Sequence, residues 1–278
     1  MSYLRAALLI FAIQAVFAGI GWYAYGQLGA IIATLIALLF HVLVLWKADR
    51  VVLRLHNARE VDMEDTNPMV RVYVQECRAL ADQIGLTRPR TFIVDTHQPN
   101  AFVTGRDALH ASIAVTTGLL MTLSRHEARA VIAHELAHVK RGDSLAMGVA
   151  AAVSAALNRV TWVVFGPIGL ARPVARFISR TIAQLSASKS REYAADKEAA
   201  RIVGRPLDLA NALEKIERHA MSLLNPTAEK NPATAHLYVI DPLHARNRGR
   251  HSSHPTTEKR VSRLRNMAET LRSEEQNA

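Results

Sequence analysis

The sequence predicts a mainly α-helical protein with a small antiparallel β-sheet and an integral-membrane helical hairpin at its N-terminus. Two long apolar runs open the chain, short strand-like runs follow them, and helical periodicity dominates the remainder. Half of the 278 residues are hydrophobic, which suffices for one core of ordinary size beside a membrane anchor. We therefore expect a membrane hairpin over residues 1–50 and one folded domain over residues 51–278.

The first two apolar runs predict two membrane-spanning helices. Leu4–Tyr25 and Leu28–Trp46 contain few polar residues, and each run is long enough to cross a bilayer as a helix. A cleaved signal peptide would explain the first run and leave the second unexplained. The turn at residues 26–29 carries no charge, whereas basic residues flank the hairpin: Arg5, Lys47, Arg50, Arg54 and Arg59. This distribution predicts that both ends of the hairpin are cytoplasmic.

A helix and three short strands are expected after the hairpin. The helix covers residues 70–84, and residues 91–95, 101–104 and 112–116 have strand composition and are separated by turn residues. A small antiparallel sheet of this kind can bind an extended polypeptide along an exposed edge. That edge is either Asn100–Thr104, with Asn100, Ala101 and Phe102 as candidate substrate contacts, or Ser112–Thr116. Alternatively, these residues belong only to the core and its turns.

A third apolar stretch, at about residues 145–187, interrupts the folded domain. It contains Arg159 near the middle of its first half, and a charged side chain at the bilayer centre is costly. Two interpretations remain open. The stretch either makes a short intramembrane excursion with Arg159 at an interface, or it forms helices that pack against the hairpin. At the end of the chain, residues 268–278 are strongly charged and are expected to form a partly disordered tail.

The most informative motif is His134-Glu135-Leu136-Ala137-His138. Residues four apart share one face of a helix, so the two histidines can bind one zinc ion while Glu135 faces a zinc-bound water as a candidate general base. Ser124 and Glu127 have the spacing of a capping box at the start of this helix. Because the chain has twelve histidines, a chance match has a probability of roughly a few per cent, and the apolar helical context argues against it.

A hydrolytic zinc site requires a third protein ligand and leaves the fourth position for water. The extended motif with a third histidine is excluded, because its position is Ser144. Glu192 and Asp196 share a helical face downstream of the apolar stretch. Glu192 is the candidate third ligand, and Asp196 is placed to accept a hydrogen bond from the outer nitrogen of a ligating histidine.

The zinc helix also ends close to the third apolar stretch. From His138 to Leu145 the chain rises only about 10 Å as a helix. If the stretch enters or lies on the bilayer, the zinc should lie within roughly 10 to 20 Å of the headgroups.

Composition excludes some classes of function and leaves others open. The single Cys77 rules out an intrachain disulfide and disfavours a closed structural zinc site, which usually contains several cysteines. A net charge of +10 admits a nucleic-acid partner, yet no nucleic-acid-binding motif accompanies it, and a protein on anionic lipid is also expected to be basic. In the basic region near the C-terminus, His254 is a candidate oxyanion stabiliser or a helix cap before Pro255.

The order of the motifs resembles that of HtpX-type membrane zinc endopeptidases, which are related to the CAAX prenyl proteases. The matching features are an N-terminal apolar hairpin, PNAFVTG at 99–105, VTTGLL at 115–120, HELAH followed by Gly142-Asp143, SREYAAD at 190–196, ATAHLY at 233–238, and SHP at 253–255 with Arg260. The chain departs from the family in its third apolar stretch, which is one interrupted run instead of two clear segments. The number of spans after the hairpin therefore stays open.

The resemblance implies a gluzincin-like zinc protease domain in residues 51–278. It implies one Zn²⁺ per chain bound by His134, His138 and Glu192, with Glu135 as the catalytic base. It further implies a multi-pass protein of the bacterial inner membrane with a cytoplasmic catalytic domain. The implied partners are the lipid bilayer and unfolded or damaged membrane proteins, cleaved in stress-related quality control. The alternative is a membrane scaffold or binding protein with a structural or inactive zinc site.

Overall fold

The computed structural model describes residues 2–144, 147–154, 188–243 and 255–276. The helices are α1 (Ser2–Leu55), α2 (Pro68–Gln83), α3 (Thr117–Thr122), α4 (Arg125–Lys140), α5 (Lys189–Val203), α6 (Pro206–Ser222), α7 (Pro226–Lys230) and α8 (Thr257–Gln276). The strands are β1 (Arg59–Val61), β2 (Arg90–Val94), β3 (Ala101–Gly105) and β4 (Ala111–Thr116). Short 3-10 helices cover Ala108–His110 and Pro232–Leu237, and residues 147–154 are helical. The predicted class, mainly α with a small sheet, is confirmed.

The long helix α1 reverses direction near its middle. Tyr25 and Gly26 leave helical backbone angles, and Gly26 has a φ of 60°. In a straight helix Gly21 and Gly29 would be about 12 Å apart. Their backbones are instead in contact: a Cβ placed on Gly21 would lie 2.3 Å from the Gly29 carbonyl oxygen. Only glycine allows this approach, and the reversal begins at the predicted turn.

One part of α1 has the composition of a membrane span. Within the described residues, Gln14–Leu39 is the helical segment whose length and hydropathy suffice to cross a membrane, a criterion of length and composition alone. This segment includes the kink at Tyr25 and Gly26. The two-span hairpin stays a prediction.

The sheet is mixed, so the prediction of an antiparallel sheet is wrong. Its order is β1-β2-β4-β3, with antiparallel outer pairs and a parallel central pair, β2 with β4. After β2 the chain passes to the far edge as β3, and β4 then returns into the gap between them. Because β3 runs opposite to both neighbours in sequence, β4 must run parallel to β2. Strand β1 was not predicted, because its three residues are too few to show alternation.

Strand order also decides which strand has an exposed side. β4 lies between β2 and β3, which excludes Ser112–Thr116 as a binding edge. β3 is an edge strand, and part of its outer side is covered by a later segment of the chain. Val239 donates its backbone N–H to the Ala101 carbonyl at 3.0 Å, and Phe102 forms a bridge with Tyr238.

Helix α4 occupies the centre of the domain, in contact with α2, α5, α6 and β3. The predicted capping box is present, since Ser124 and Glu127 each accept a backbone N–H from the other. From Ala130 to Val139 every residue is buried, so this part of the helix has no solvated face. Any functional group within it therefore acts inside the protein.

The C-terminal region differs from the expectation of a partly disordered tail from residue 268. Helix α8 extends to Gln276 and packs against α6 and α5. Val261, Leu264 and Ala268 lie on one face of α8 and are buried. The charged residues that suggested disorder occupy the opposite, solvated side, so a narrow apolar stripe was enough to order the helix.

Candidate metal centre

Three predicted ligands converge in the core, at the contact of α4 with α5. The Nε2 atoms of His134 and His138 are 3.2 Å apart. Glu192 approaches the same point, with Oε2 at 3.7 Å from His134 Nε2 and Oε1 at 3.6 Å from His138 Nε2. All three side chains are buried. The two imidazole nitrogens and the Glu192 carboxylate thus form a triangle of side chains, in which one ligand atom from each residue lies within 4.8 Å of the others.

The size and chemistry of this triangle suit a metal ion. A tetrahedral zinc with bonds of about 2.0–2.2 Å places its ligand atoms about 3.3–3.6 Å apart. The N–N separation of 3.2 Å and the shortest N–O separations of 3.6 and 3.7 Å, which involve different oxygens of Glu192, are close to that geometry. Two imidazoles and one carboxylate are common zinc ligands, whereas calcium and magnesium favour ligand sets made of oxygen atoms. His134, His138 and Glu192 can therefore hold a metal ion, and the donor set favours zinc.

Each histidine also meets a carboxylate on its outer side. Nδ1 of His134 lies 3.0 Å from Oδ1 of Asp196, which is the position predicted for Asp196. Nδ1 of His138 lies 3.4 Å from Oδ2 of Asp143. A carboxylate at this position fixes the tautomer and the orientation of a ligating imidazole. The role of Asp143 was missed, although its place directly after the end of α4, five residues beyond His138, would bring it near that ring.

The two histidines differ in electrostatic surroundings. Burial lowers the pKa of His134, and this effect outweighs the nearby Asp196. Burial also opposes protonation of His138, but the hydrogen bond with Asp143 and the charges of Glu192 and Glu135 outweigh it and raise the pKa. A cation at the triangle would take the place of that proton, since metal binding requires the neutral imidazole.

A buried arginine completes the surroundings of the site. Arg260 has no exposed surface and donates to both carboxylate oxygens of Asp196, at 2.7 and 2.8 Å. It also donates to the Val239 carbonyl at 2.8 Å. Burial would raise the pKa of Asp196, but the Arg260 guanidinium outweighs it and holds that pKa well below its usual range. Asp196 is therefore ionised. Arg260 donates to both of its oxygens, and Oδ1 also lies beside Nδ1 of His134.

This arrangement distinguishes Glu192 from Asp196 as the third ligand. Asp196 lies on the Nδ1 side of His134 and is engaged by Arg260, whereas Glu192 lies on the Nε2 side of both histidines. The sequence predicted these two roles. Arg260 was predicted only as part of a motif, because an arginine at helical spacing gives no signal that it is buried.

Glu135 lies beside the triangle in the same buried region. Burial raises the pKa of Glu135 to about 8, with a smaller contribution from the negative charge of Glu192. The backbone of Val103 in β3 lies close to this carboxylate and slightly favours its ionised form, while Oε2 has no hydrogen-bond partner among the described residues. A cation bound by the neighbouring histidines would favour the ionised form. The pKa of Glu135 thus depends on whether a cation is bound by His134, His138 and Glu192.

The candidate substrate contacts are buried and engaged within the protein. Asn100 donates to the Ile240 carbonyl at 2.8 Å, and the Phe102 ring packs edge-to-face on Tyr238 with the centroids 5.1 Å apart. The Ala101 carbonyl accepts the backbone N–H of Val239. The side chains of these three residues therefore contact the interior of the protein and help to hold the strand in position. Alternate residues of β3 point their backbone groups outward, and Val103 is the one that does so beside Glu135.

Two predicted features fall beyond the described residues. His254, the candidate oxyanion stabiliser or helix cap, belongs to residues 244–254, and most of the third apolar stretch belongs to residues 155–187. Of that stretch, residues 147–154 are described, and all those with apolar side chains are buried. Gly148 lies against the end of β3, where a Cβ would meet Thr104 Oγ1 at 2.9 Å.

The outer carboxylates allow a graded test of the centre. Asp196→Ala should weaken zinc binding by about 10- to 100-fold, since His134 loses its orienting acceptor, and Asp143→Ala should act in the same range through His138. Asp196→Ala also leaves Arg260 buried beside the site without its main acceptor, so it should destabilise the fold more than Asp143→Ala does. Competition with a zinc chelator and the melting temperature measure the two effects. Unchanged zinc affinity in both variants would contradict the assigned geometry.

Comparison with known proteins gives two findings. Residues 66–268 match the model of the family described as Peptidase family M48. The structure is similar to the crystal structure of S. mikatae Ste24p, with a TM-score of 0.50 and 17% sequence identity. The match covers 94% of this chain and 65% of that protein, so the chain spans about two thirds of its length. At this identity the likeness concerns the fold.

Proposed function

The chain belongs to peptidase family M48, and from this premise we propose that it is a membrane-anchored zinc endopeptidase. The predicted family is thereby confirmed, and with it the assignment of the chain to the metalloproteases. The observation that carries the proposal is the buried triangle of His134, His138 and Glu192 with the carboxylate of Glu135 directly beside it. A site that only needed to hold zinc would not require a further buried carboxylate at such an electrostatic cost.

The chain's own residues divide the chemistry between them. When bound, zinc supplies Lewis-acid chemistry, in that it lowers the pKa of water and polarises a carbonyl oxygen. His134, His138 and Glu192 hold the ion, and Asp196 and Asp143 keep the two imidazoles in the tautomer that presents Nε2. Glu135 accepts the proton of the attacking water and then delivers it to the leaving amine. No nucleophilic side chain is required, and peptide-bond hydrolysis proceeds without a covalent intermediate.

The edge of β3 supports a polypeptide as the substrate. Val239 covers the outward side of Ala101, so a peptide would pair with the remaining part of the edge, from Val103 to Gly105, and would pass beside the candidate base. Pairing through the backbone tolerates many side chains, which suits an enzyme that cleaves unfolded segments. In this proposal Asn100, Ala101 and Phe102 contribute through the position of the strand.

The cellular role is part of the same proposal. We place the protein in the bacterial inner membrane as a multi-pass protein with a cytoplasmic catalytic domain, where it removes misfolded or damaged membrane proteins. The supporting observations are the apolar helix near the N-terminus and the basic residues that follow it, Lys47, Arg50 and Arg54. The rival proposal, a scaffold with a structural zinc, usually requires a closed four-ligand site with cysteines, and the chain has one cysteine.

The proposal is tested by removing and restoring the metal. The purified full chain should contain one zinc and cleave casein, lose both zinc and cleavage after chelation, and recover both with one equivalent of zinc. Magnesium should not restore cleavage, because it requires near-octahedral oxygen coordination. Metal analysis and release of casein fragments give the two readouts. Full zinc content without any cleavage would favour the scaffold, and cleavage by the zinc-free protein would exclude a zinc mechanism.

A further inference from the structure

The loop between β3 and β4, which we call the hairpin loop (residues 106–110), lies against the N-terminal helix. The guanidinium carbon of Arg106 stands 4.3 Å from the ring centroid of Trp46 in α1. Within the loop, Arg106 and His110 are 2.6 Å apart, and Asp107 contacts both. These polar contacts hold the loop in place, and Leu109 at its tip is 70% exposed.

Trp46 marks a boundary along α1. Leu35, Leu39, Val42 and Trp46 follow one another at helical spacing and are all at least half exposed, so they form an apolar stripe on one face. Beyond Trp46 the exposed residues become basic, with Lys47 and Arg50, while Ala48 and Val52 are buried against the domain. A tryptophan between an apolar stripe and basic residues is typical of the membrane-water interface.

We propose that the hairpin loop is a second membrane-contact site, which places Leu109 among the lipid chains and Arg106 at anionic headgroups. This inference rests on the proposed anchoring of α1 in a bilayer. The loop binds a lipid surface in this proposal, because Arg106 contacts Trp46 and so lies at the same depth as that residue. Arg106, Lys47 and Arg50 also place positive charge near Trp46, where anionic headgroups would lie. A single exposed leucine is ordinary on a protein surface, and the contact with Trp46 is what distinguishes this one.

The contact would determine the distance between the bilayer and the catalytic site. β3 leads directly from the site to the hairpin loop, and Val103, which lies close to Glu135, precedes Arg106 by three residues. This corresponds to about 10 Å along a strand. If the loop touches the lipid, the peptide bond to be cleaved lies within roughly 10 to 15 Å of the headgroups. Substrates would then be drawn from segments close to a membrane.

Depth-dependent fluorescence quenching tests the proposal on the full, zinc-loaded chain in vesicles of phosphatidylcholine and phosphatidylglycerol. Three exposed positions receive a cysteine and a fluorophore: Leu109→Cys in the loop, Ile36→Cys in α1, and Met121→Cys beyond the far end of β4. The native Cys77 does not interfere, since it has no exposed surface and burial raises the pKa of its thiol to about 12. Unaltered zinc content shows that each variant is folded.

We expect nitroxide-bearing lipids to quench the labels at positions 36 and 109 several-fold more strongly than the label at Met121→Cys. Aqueous iodide should show the opposite order. Replacing phosphatidylglycerol with phosphatidylcholine should weaken lipid quenching at Leu109→Cys and leave that at Ile36→Cys unchanged, because only the loop contact depends on headgroup charge.

The outcomes separate this inference from the function it rests on. If the label at Ile36→Cys is quenched by lipid and that at Leu109→Cys behaves like Met121→Cys, the loop does not touch the bilayer, and α1 remains the anchor. If neither Ile36→Cys nor Leu109→Cys is quenched by lipid, both the membrane anchor and the loop contact are overturned.

Discussion

Glu135→Gln should abolish peptide hydrolysis while leaving zinc bound. Glutamine keeps the size of the side chain, but it cannot take a proton from water. Removing a general base of this kind lowers the rate by about 10²- to 10⁴-fold. Because burial raises the pKa of Glu135 to about 8, a neutral amide should not destabilise the zinc-free protein. Casein cleavage, zinc content and melting temperature are measured together.

The matched control for this change is Glu127→Gln on the same helix. Glu127 accepts the Ser124 backbone N–H in the capping box and lies 2.8 Å from the Lys215 ammonium. Glutamine still forms a capping box, so this variant should retain zinc and cleave casein at close to the wild-type rate. Appreciable cleavage by Glu135→Gln would show that another group is the base. Loss of zinc from Glu135→Gln would make it a ligand.

Glu192→Ala should lose zinc on dialysis, with a larger fall in affinity than the about 10- to 100-fold expected for the outer carboxylates. The reason is geometric, because Glu192 supplies one corner of the triangle and alanine supplies no donor atom. Asp196 cannot replace it, since both of its oxygens are held by Arg260 on the other side of His134. Mass spectrometry of metal content after dialysis measures the effect, and casein cleavage should disappear with the metal.

Glu198→Ala is the corresponding control on α5. Glu198 pairs with Lys140 at 2.7 Å near the surface, where an ion pair contributes at most about 1 kcal/mol. This variant should keep one zinc per chain and its activity. Full zinc occupancy and affinity in Glu192→Ala would exclude Glu192 as the third ligand and would require a donor from outside the described residues.

The two helices of the candidate metal centre illustrate what local spacing can predict. An H-E-x-x-H sequence places both imidazoles on one face whenever the segment is helical, and the capping box made α4 recognisable. The missing histidine at position 144 required a ligand elsewhere, and Glu192 followed from the second motif. The structure brings these donor atoms together. Glycine at position 26 likewise marked the reversal of α1, because few other residues adopt its positive φ.

The sheet and the surroundings of the metal illustrate the opposite case. Strand-forming residues show that a strand exists, but its neighbour depends on segments far away in the chain, as the parallel pair of β2 and β4 shows. The helical pattern of α8 likewise does not reveal that Arg260 is buried and bound to Asp196. The same is true of Asp143, whose partner His138 became evident only from the end of α4.

The sequence by itself therefore determined the helices with the candidate ligands, the candidate base and the apolar N-terminus, and the order of its motifs indicated the family. The first three depend on residues within a few turns of one another, where helix geometry sets the relative positions of side chains. Only the tertiary structure decided the strand order, the burial of Arg260 against Asp196, and the contact of the hairpin loop with Trp46. These depend on packing between distant segments, whose free energy comes from burial and charge pairing in three dimensions rather than from local sequence.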